Sequence, residues 1–279
     1  MSEIKITLPD KSTRSYAAGI TPLEIAESIG PRLAQDTVAA SINGALSDAN
    51  ISIASDASVS LYTGSSDEGH EVLLHSTAHL MAQAVKRLFP KTKVTIGPYL
   101  DNKFYYDFDV ETPFSEEDLN SIEKEMHKIS KENCEITHEV KSRKDAISLF
   151  KKMKESYKVE IINDLEKSEI LKVYSQGEFT DLCRGPHVPS TGIIKHFKLL
   201  SSSAAYWRGD EKNQTLQRVY GTSFPSEKDL RKYLTMLEEQ KKRDHRKIGK
   251  ELDLFHFQEE AAGMVFWHEK GWRLFRTIE

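Results

Sequence analysis

Fourteen residues, Val72-Leu-Leu-His75-Ser-Thr-Ala-His79-Leu-Met-Ala-Gln-Ala-Val85, constrain the rest of this chain. They read as part of an amphipathic helix that runs to about Phe89, where Pro90 ends it. Residues four apart share a face of an α-helix, which points His75 and His79 into the same space. A hundred residues on, Asp181-Leu-Cys183-Arg-Gly-Pro-His187 offers a carboxylate, a thiol and a third imidazole beside a Gly-Pro turn. If the fold brings the two stretches together, they form one site.

His75, His79, Cys183 and His187 are ligand types that zinc prefers, in two pairs of i,i+4 spacing. Ser76 stands where HExxH would need its glutamate, which removes the metalloprotease reading. A structural zinc, a three-ligand zinc with water, and metal-free acid-base chemistry all remain open. A single histidine on an apolar helix is more often a packed core residue, but three in two tight pairs with a cysteine and Asp181 reverse that. Asp181 is a candidate to orient an imidazole or bind an ammonium group, and otherwise a turn carboxylate. Lys158 is a candidate cation for a developing oxyanion, although most lysines simply face water. Arg184, inside the cluster, can fork onto phosphate or carboxylate. Tyr105 and Tyr106 alternate across a strand, so one belongs to the core and the other can line a pocket.

At 279 residues the chain is expected to hold two or more domains. Residues 3–8 alternate as a half-buried strand, and Thr21-Pro22-Leu-Glu24 carries a capping-box helix start, with the helix stopping near Gly30-Pro31. Strands at 38–42 and 57–62 complete a small α+β domain over 1–62. The polar joint Thr63 to Gly69 opens a second domain, 63–225, with strands around Val94 and 103–109 and a helix from Ser115. Further strands follow at 134–140, 171–174, 179–183, 197–207 and 216–220, with a short helix at 161–165 between the first two; together they read as an antiparallel sheet. One long helix is expected from 226 to 250, with eight basic residues against three acids between 231 and 250. The aromatic-rich stretch 251–279 reads as the opening of a third domain. A net charge of −4 argues against a generic basic nucleic-acid coat, though not against a local basic surface. Two cysteines make no disulfide framework, and no long apolar run is present, so the expected compartment is the cytoplasm, with no membrane partner.

His75-Ser-Thr-Ala-His79-Leu, Gly97-Pro98 followed by Phe104-Tyr-Tyr-Asp-Phe108, Tyr157-Lys158, and Asp181 to His187 together resemble the second domain of bacterial-type threonyl-tRNA synthetases. Residues 1–62 resemble that family's ubiquitin-like β-grasp leading domain, and Glu259 to Gly271 the entrance of its class II catalytic domain. Ala261-Ala262 departs there from the family's Gly-Pro. The resemblance implies an editing domain that hydrolyses serine wrongly esterified to threonine tRNA, because a pocket built for a hydroxyl discriminates weakly against the loss of one methyl. It implies His75, Lys158 and Asp181 as catalytic residues, and His79, Tyr105, Cys183, Arg184 and His187 around the seryl-adenosine moiety. On the helix near 243, Arg243, Arg246 and Lys247 are expected to contact tRNA. No cofactor is expected in this part of the family, with the four ligand-type residues as the zinc site if one exists. ATP, magnesium and a catalytic zinc are expected in the full-length enzyme, a homodimer through its catalytic domain. A chain ending at residue 279 is expected to edit and not to aminoacylate. The alternatives are a freestanding trans-editing or tRNA-binding protein and a zinc-stabilised structural or regulatory module.

Overall fold

The computed structural model describes residues 2–279, an α+β chain in which residues up to Glu227 pack as one compact unit and Lys228–Glu279 as a second. In the first unit, β1 (Glu3–Thr7) and β2 (Thr13–Ala17) form a hairpin, followed by α1 (Pro22–Ile29) and α2 (Pro31–Asp36). Then come β3 (Thr37–Ile42), β4 (Ala45–Ser47) and β5 (Ala57–Thr63). The five strands lie in the order β2-β1-β5-β3-β4, with β1 and β5 parallel. The expected capping box is present: Thr21 accepts from the Glu24 amide, and the Glu24 carboxylate accepts from the Thr21 amide. α1 stops at Gly30 as expected, and a second short helix, α2, begins at once. Pro31 sits at the first position of α2, where its missing N–H costs nothing.

α3 (Asp67–Leu88) begins at Ser66, whose hydroxyl accepts from the Gly69 amide. Asp67 and Glu68 in its first turn and Lys86 and Arg87 in its last complement the helix dipole. Fourteen of its 22 residues are buried, so the helix lies inside the unit and not on it. β6 (Lys93–Val94), β7 (Tyr99–Leu100) and β8 (Lys103–Asp109) follow, then α4 (Glu116–Glu132), β9 (Ile136–Lys141), α5 (Arg143–Lys152) and α6 (Ser156–Asp164). α6 starts five residues before the expected short helix, which places Lys158 in its first turn and buries it. β10 (Leu171–Gln176) and β11 (Phe179–Leu182) form a hairpin turned at Gly177, and β12 (His196–Tyr206) and β13 (Thr215–Phe224) form another.

These strands make two sheets, β11-β10-β9 and β12-β13-β8-β6 with β7 on β8, both antiparallel as the alternation predicted. Phe104, Tyr106 and Phe108 point from one face of β8 into the core shared with α3 and α4. Each buried side chain of this size contributes about 1.5–3 kcal/mol of apolar transfer energy. The N-terminal lobe has its own core of Ile4, Ile6, Leu8, Ile25, Ile53, Ala57 and Val59, while Val38 and Ala39 of β3 join the core of the larger sheets.

In the second unit the long helix expected over 226–250 is interrupted: α7 spans Glu227–Lys242 and α8 His245–Glu251. Asp244 causes the break, since its side chain caps α8 by accepting from the Arg246 amide. β14 (Phe255–His256), β15 (Phe266–Trp267) and α9 (Glu269–Ile278) complete this unit. No helix among the described residues is long and apolar enough to cross a membrane.

Candidate active site

α3 presents His75 and His79 on one face, and the chain leaving β11 folds back across that face through residues 183–187. Cys183 Sγ lies 3.2 Å from His75 Nε2 and 3.4 Å from His187 Nε2. The His187 ring sits 4.5 Å from that of His75 and 4.3 Å from that of His79. Ser76, one turn position from His75, holds this arrangement from beneath. Its hydroxyl donates to the Val72 carbonyl at 2.8 Å and accepts the Val188 amide at 3.0 Å. With that proton committed, His187 Nδ1 at 3.1 Å must be the donor to Ser76 Oγ. The Nε2 lone pair of His187 therefore faces Cys183.

A second group lies against the first. Lys158 Nζ is 2.5 Å from Asp181 Oδ1 and donates to Tyr106 Oη at 3.1 Å, while Tyr106 donates to Asp181 Oδ2 at 2.7 Å. The Leu182 amide also donates to Asp181, at 2.8 Å, and His79 Nε2 stands 3.6 Å from its other oxygen. Lys158 and Asp181 are 2% and 1% exposed, so this is a buried ion pair satisfied by hydrogen bonds on both sides.

The other residues singled out by the sequence lie elsewhere. Tyr105 points to the opposite face of β8, under the Arg218 guanidinium, and Tyr106 is the tyrosine that meets Asp181. Arg184 is exposed and paired with Glu169. In the second unit, Arg243, Arg246 and Lys247 are exposed and lie beside Glu239, Asp244 and Glu251 respectively. The pattern Phe104-x-Tyr106-x-Phe108 carried the signal for Tyr106, because three aromatics at period two select the buried face.

Burial governs the protonation of the cluster. It holds His75 and His79 down at about 3, reinforced by the Lys158 charge and, for His75, by its neighbour His79 and partly opposed by Asp181. It also takes His187 well below its ordinary value and pushes the Cys183 thiol up to about 12. Neutral imidazoles offer lone pairs, which suits metal ligation more than base catalysis at pH 7. A thiol so hard to ionise is a poor nucleophile unless a cation sits beside it.

The four ligand atoms of His75, His79, Cys183 and His187 all lie within 4.8 Å of one another. Three imidazole nitrogens and one sulfur at this spacing fit the tetrahedral donor set of zinc, and the donated Nδ1–H of His187 supplies the supporting hydrogen bond such ligands carry. The expectation that this part of the chain needs no cofactor is therefore corrected: the first unit itself brings together four side chains of the kinds that ligate a metal ion. Sequence alone could not decide this, because the sequence separation between the two pairs says nothing about whether their lone pairs converge.

The first unit, with its histidine and cysteine cluster between α3 and the chain after β11, matches a family model for an accessory domain of aminoacyl-tRNA synthetases. Residues 171–220 match the family model described as the threonyl and alanyl tRNA synthetase second additional domain, and residues 4–63 match the TGS domain. The chain is 53% identical over 274 residues to a threonine--tRNA ligase of Teredinibacter turnerae, covering 98% of this chain and 43% of that one. It is 52% identical to those of Methylococcus capsulatus, over 274 residues, and Burkholderia mallei, over 276, covering 98% and 99% of this chain. The chain belongs to the threonine--tRNA ligase family, as the N-terminal portion, and spans less than half the length of these relatives, 43% to 44%.

Proposed function

We propose that this chain is the editing region of a threonine--tRNA ligase and that its buried cluster hydrolyses serine from mischarged threonine tRNA. The observation that carries the reading is the juxtaposition of His75, His79, Cys183 and His187 with the Lys158–Asp181–Tyr106 network. In the reaction, a water oxygen bonds to the ester carbonyl carbon, the bond to the ribose oxygen breaks, and that oxygen takes a proton. His75, the half-buried imidazole of the three, orients the water. Lys158, fixed by Asp181 and Tyr106, presents its ammonium to the oxyanion as it forms. Asp181 turns its remaining acceptor side, near His79, toward the substrate amine. Zinc held by the four ligand-type residues would supply a fixed positive charge that keeps Cys183 as a thiolate and holds the two segments together.

A cramped pocket that admits serine and excludes threonine uses the methyl sterically, reversing a difference worth about 1–3 kcal/mol in the synthetic site. In this reading the domains are a ubiquitin-like β-grasp domain at 1–62, the editing domain at 63–225, a basic linker at 226–250 whose Arg243, Arg246 and Lys247 track the tRNA, and a catalytic-domain entrance at 251–279. The complete protein would be a cytoplasmic enzyme joining threonine to its tRNA. A closed set of four ligands also favours a second reading, a zinc-stabilised structural module without hydrolytic activity.

One experiment separates the two. Hydrolysis of seryl-tRNA and threonyl-tRNA is followed with the parent chain, His75→Ala and Lys158→Ala, with and without chelator. Selective loss of seryl-tRNA in the parent and its failure in the variants is the expected result. Parent-level activity in both variants would remove these residue roles, and an inactive but zinc-loaded parent would favour the structural module.

A further inference from the structure

Asp48 follows β4 in the N-terminal lobe, yet its carboxylate is buried behind the 183–187 segment, 4% exposed. Oδ1 accepts the His187 backbone amide at 2.7 Å. Oδ2 accepts the Tyr174 hydroxyl at 2.9 Å and lies 3.0 Å from His138 Nδ1. Tyr174 in turn packs edge-on against the His187 ring at 4.5 Å and fills the space over Gly185, where an added Cβ would fall 1.9 Å from its hydroxyl oxygen. One carboxylate thus fixes the segment carrying Cys183 and His187 twice, through the backbone at His187 and through the tyrosine that packs on Gly185.

We infer that Asp48 is a positioning residue for the candidate site, so that the N-terminal lobe supplies part of the framework that aims His187 and Cys183. A docking role alone would not require this geometry. Asn50, two residues on, ties the same loop to the Ile136 carbonyl at 3.0 Å, a bond that reaches neither His187 nor Tyr174. Two hydrogen-bond donors and the His138 ring nitrogen converge on the two oxygens of Asp48, and a carboxylate meets all three without a donor of its own. An asparagine keeps one oxygen and turns an NH2 toward the other partners. The hydroxyl of Tyr174 can reverse its role to accommodate that group, so Asp48→Asn loses part of the aim and Asp48→Ala loses both ties.

For its activity arm the inference rests on the proposed seryl-tRNA hydrolysis, and a second arm does not. Asp48→Asn, Asp48→Ala and Asn50→Ala are compared with the parent in the 279-residue chain. The first readout is kcat and KM for seryl-tRNA; the second is Co2+ affinity from thiolate-to-cobalt absorption. The expected result is a fall in kcat of roughly 5-fold for Asp48→Asn and 20-fold or more for Asp48→Ala, with KM within about twofold. Co2+ affinity should fall on the order of 10-fold, as for other groups that orient metal ligands, and Asn50→Ala should match the parent in both. Equal effects of Asp48→Ala and Asn50→Ala, or no change in either readout for the Asp48 variants, would overturn the inference. If Asp48→Ala does not fold, the Asp48→Asn comparison with Asn50→Ala decides. A parent that binds Co2+ without hydrolysing the ester sinks the activity while the affinity arm still judges Asp48; a parent that does neither sinks both.

Discussion

Lys158→Met tests the buried ion pair directly. Methionine keeps most of the apolar stem of Lys158 and removes its charge, leaving Asp181 ionised at 1% exposure without its cation. Breaking a buried pair from one side typically costs about 3–5 kcal/mol, because the surviving charge cannot return to water. Asp181 still accepts from Tyr106 at 2.7 Å and from the Leu182 amide at 2.8 Å, which places the expected loss at the lower end, about 3 kcal/mol. Urea unfolding at pH 7.5 reads this as a lowered midpoint at unchanged slope. The double variant Lys158→Met with Asp181→Leu removes the stranded charge as well and should recover about 2 kcal/mol or more, since well-packed apolar pairs replace buried ion pairs at little cost. Both variants should have lost ester hydrolysis. A single-variant loss below about 1 kcal/mol, or a double variant no more stable than the single one, would refute the description of Lys158 and Asp181 as a mutually dependent buried pair.

Three further outcomes follow from the same site. Zinc should bind at one ion per chain by metal analysis, with Cys183→Ser and His187→Ala each weakening it at least 10-fold as measured by chelator competition, as loss of a direct ligand demands; unchanged affinity in both would remove the cluster as the binding group. In chelator, His75 and His79 stay neutral down to about 3 in the folded chain, whereas unfolded histidines take up protons near 6.5. The unfolded state then binds more protons, so stability should be level above neutrality and fall as pH drops from about 6.5 toward 3, by up to about 1.4 kcal/mol per pH unit for each imidazole. Urea midpoints at pH 7.5, 6 and 5 check this, and a His75→Gln variant with an equally steep decline would contradict it. Gly97→Ala would bring a Cβ to 2.2 Å from the Tyr106 ring, displacing the residue that bridges Lys158 and Asp181. It should destabilise by about 1–3 kcal/mol and lower ester hydrolysis more than 10-fold, and near-parent kinetics would show that the Tyr106 position is not critical.

Local signals in the sequence reached some of this and stopped at identifiable points. The i,i+4 histidines and the Ser115–Asp118 capping box rest on helix geometry within one turn, and both appear as read. Period-two alternation identified β8 and set Tyr106 on the face of Phe104 and Phe108, but that this face meets α3 and α4 depends on contacts distant in sequence. Lys158 looks like a solvent lysine because its partner, Asp181, is 23 residues away on a different element. The helix expected over 226–250 carries a continuous polar and apolar pattern, but Asp244 competes as a cap and divides it. Asp48 illustrates the limit most clearly. An aspartate after a three-residue strand reads as a turn residue, and its partners Tyr174 and His187 are more than 120 positions distant.

The packing of β3 against the core of the larger sheets has an evolutionary consequence. Val38 and Ala39 of β3 lie in the same apolar cluster as Leu73, Leu74 and Met81 of α3, so one flank of the helix that bears the histidines is roofed by the preceding lobe. A lineage that shed that lobe would expose this flank and lose Asp48 in the same event. It would have to rebuild the helix surface with polar residues and recruit a new acceptor for the His187 amide before the remainder could serve as an independent module.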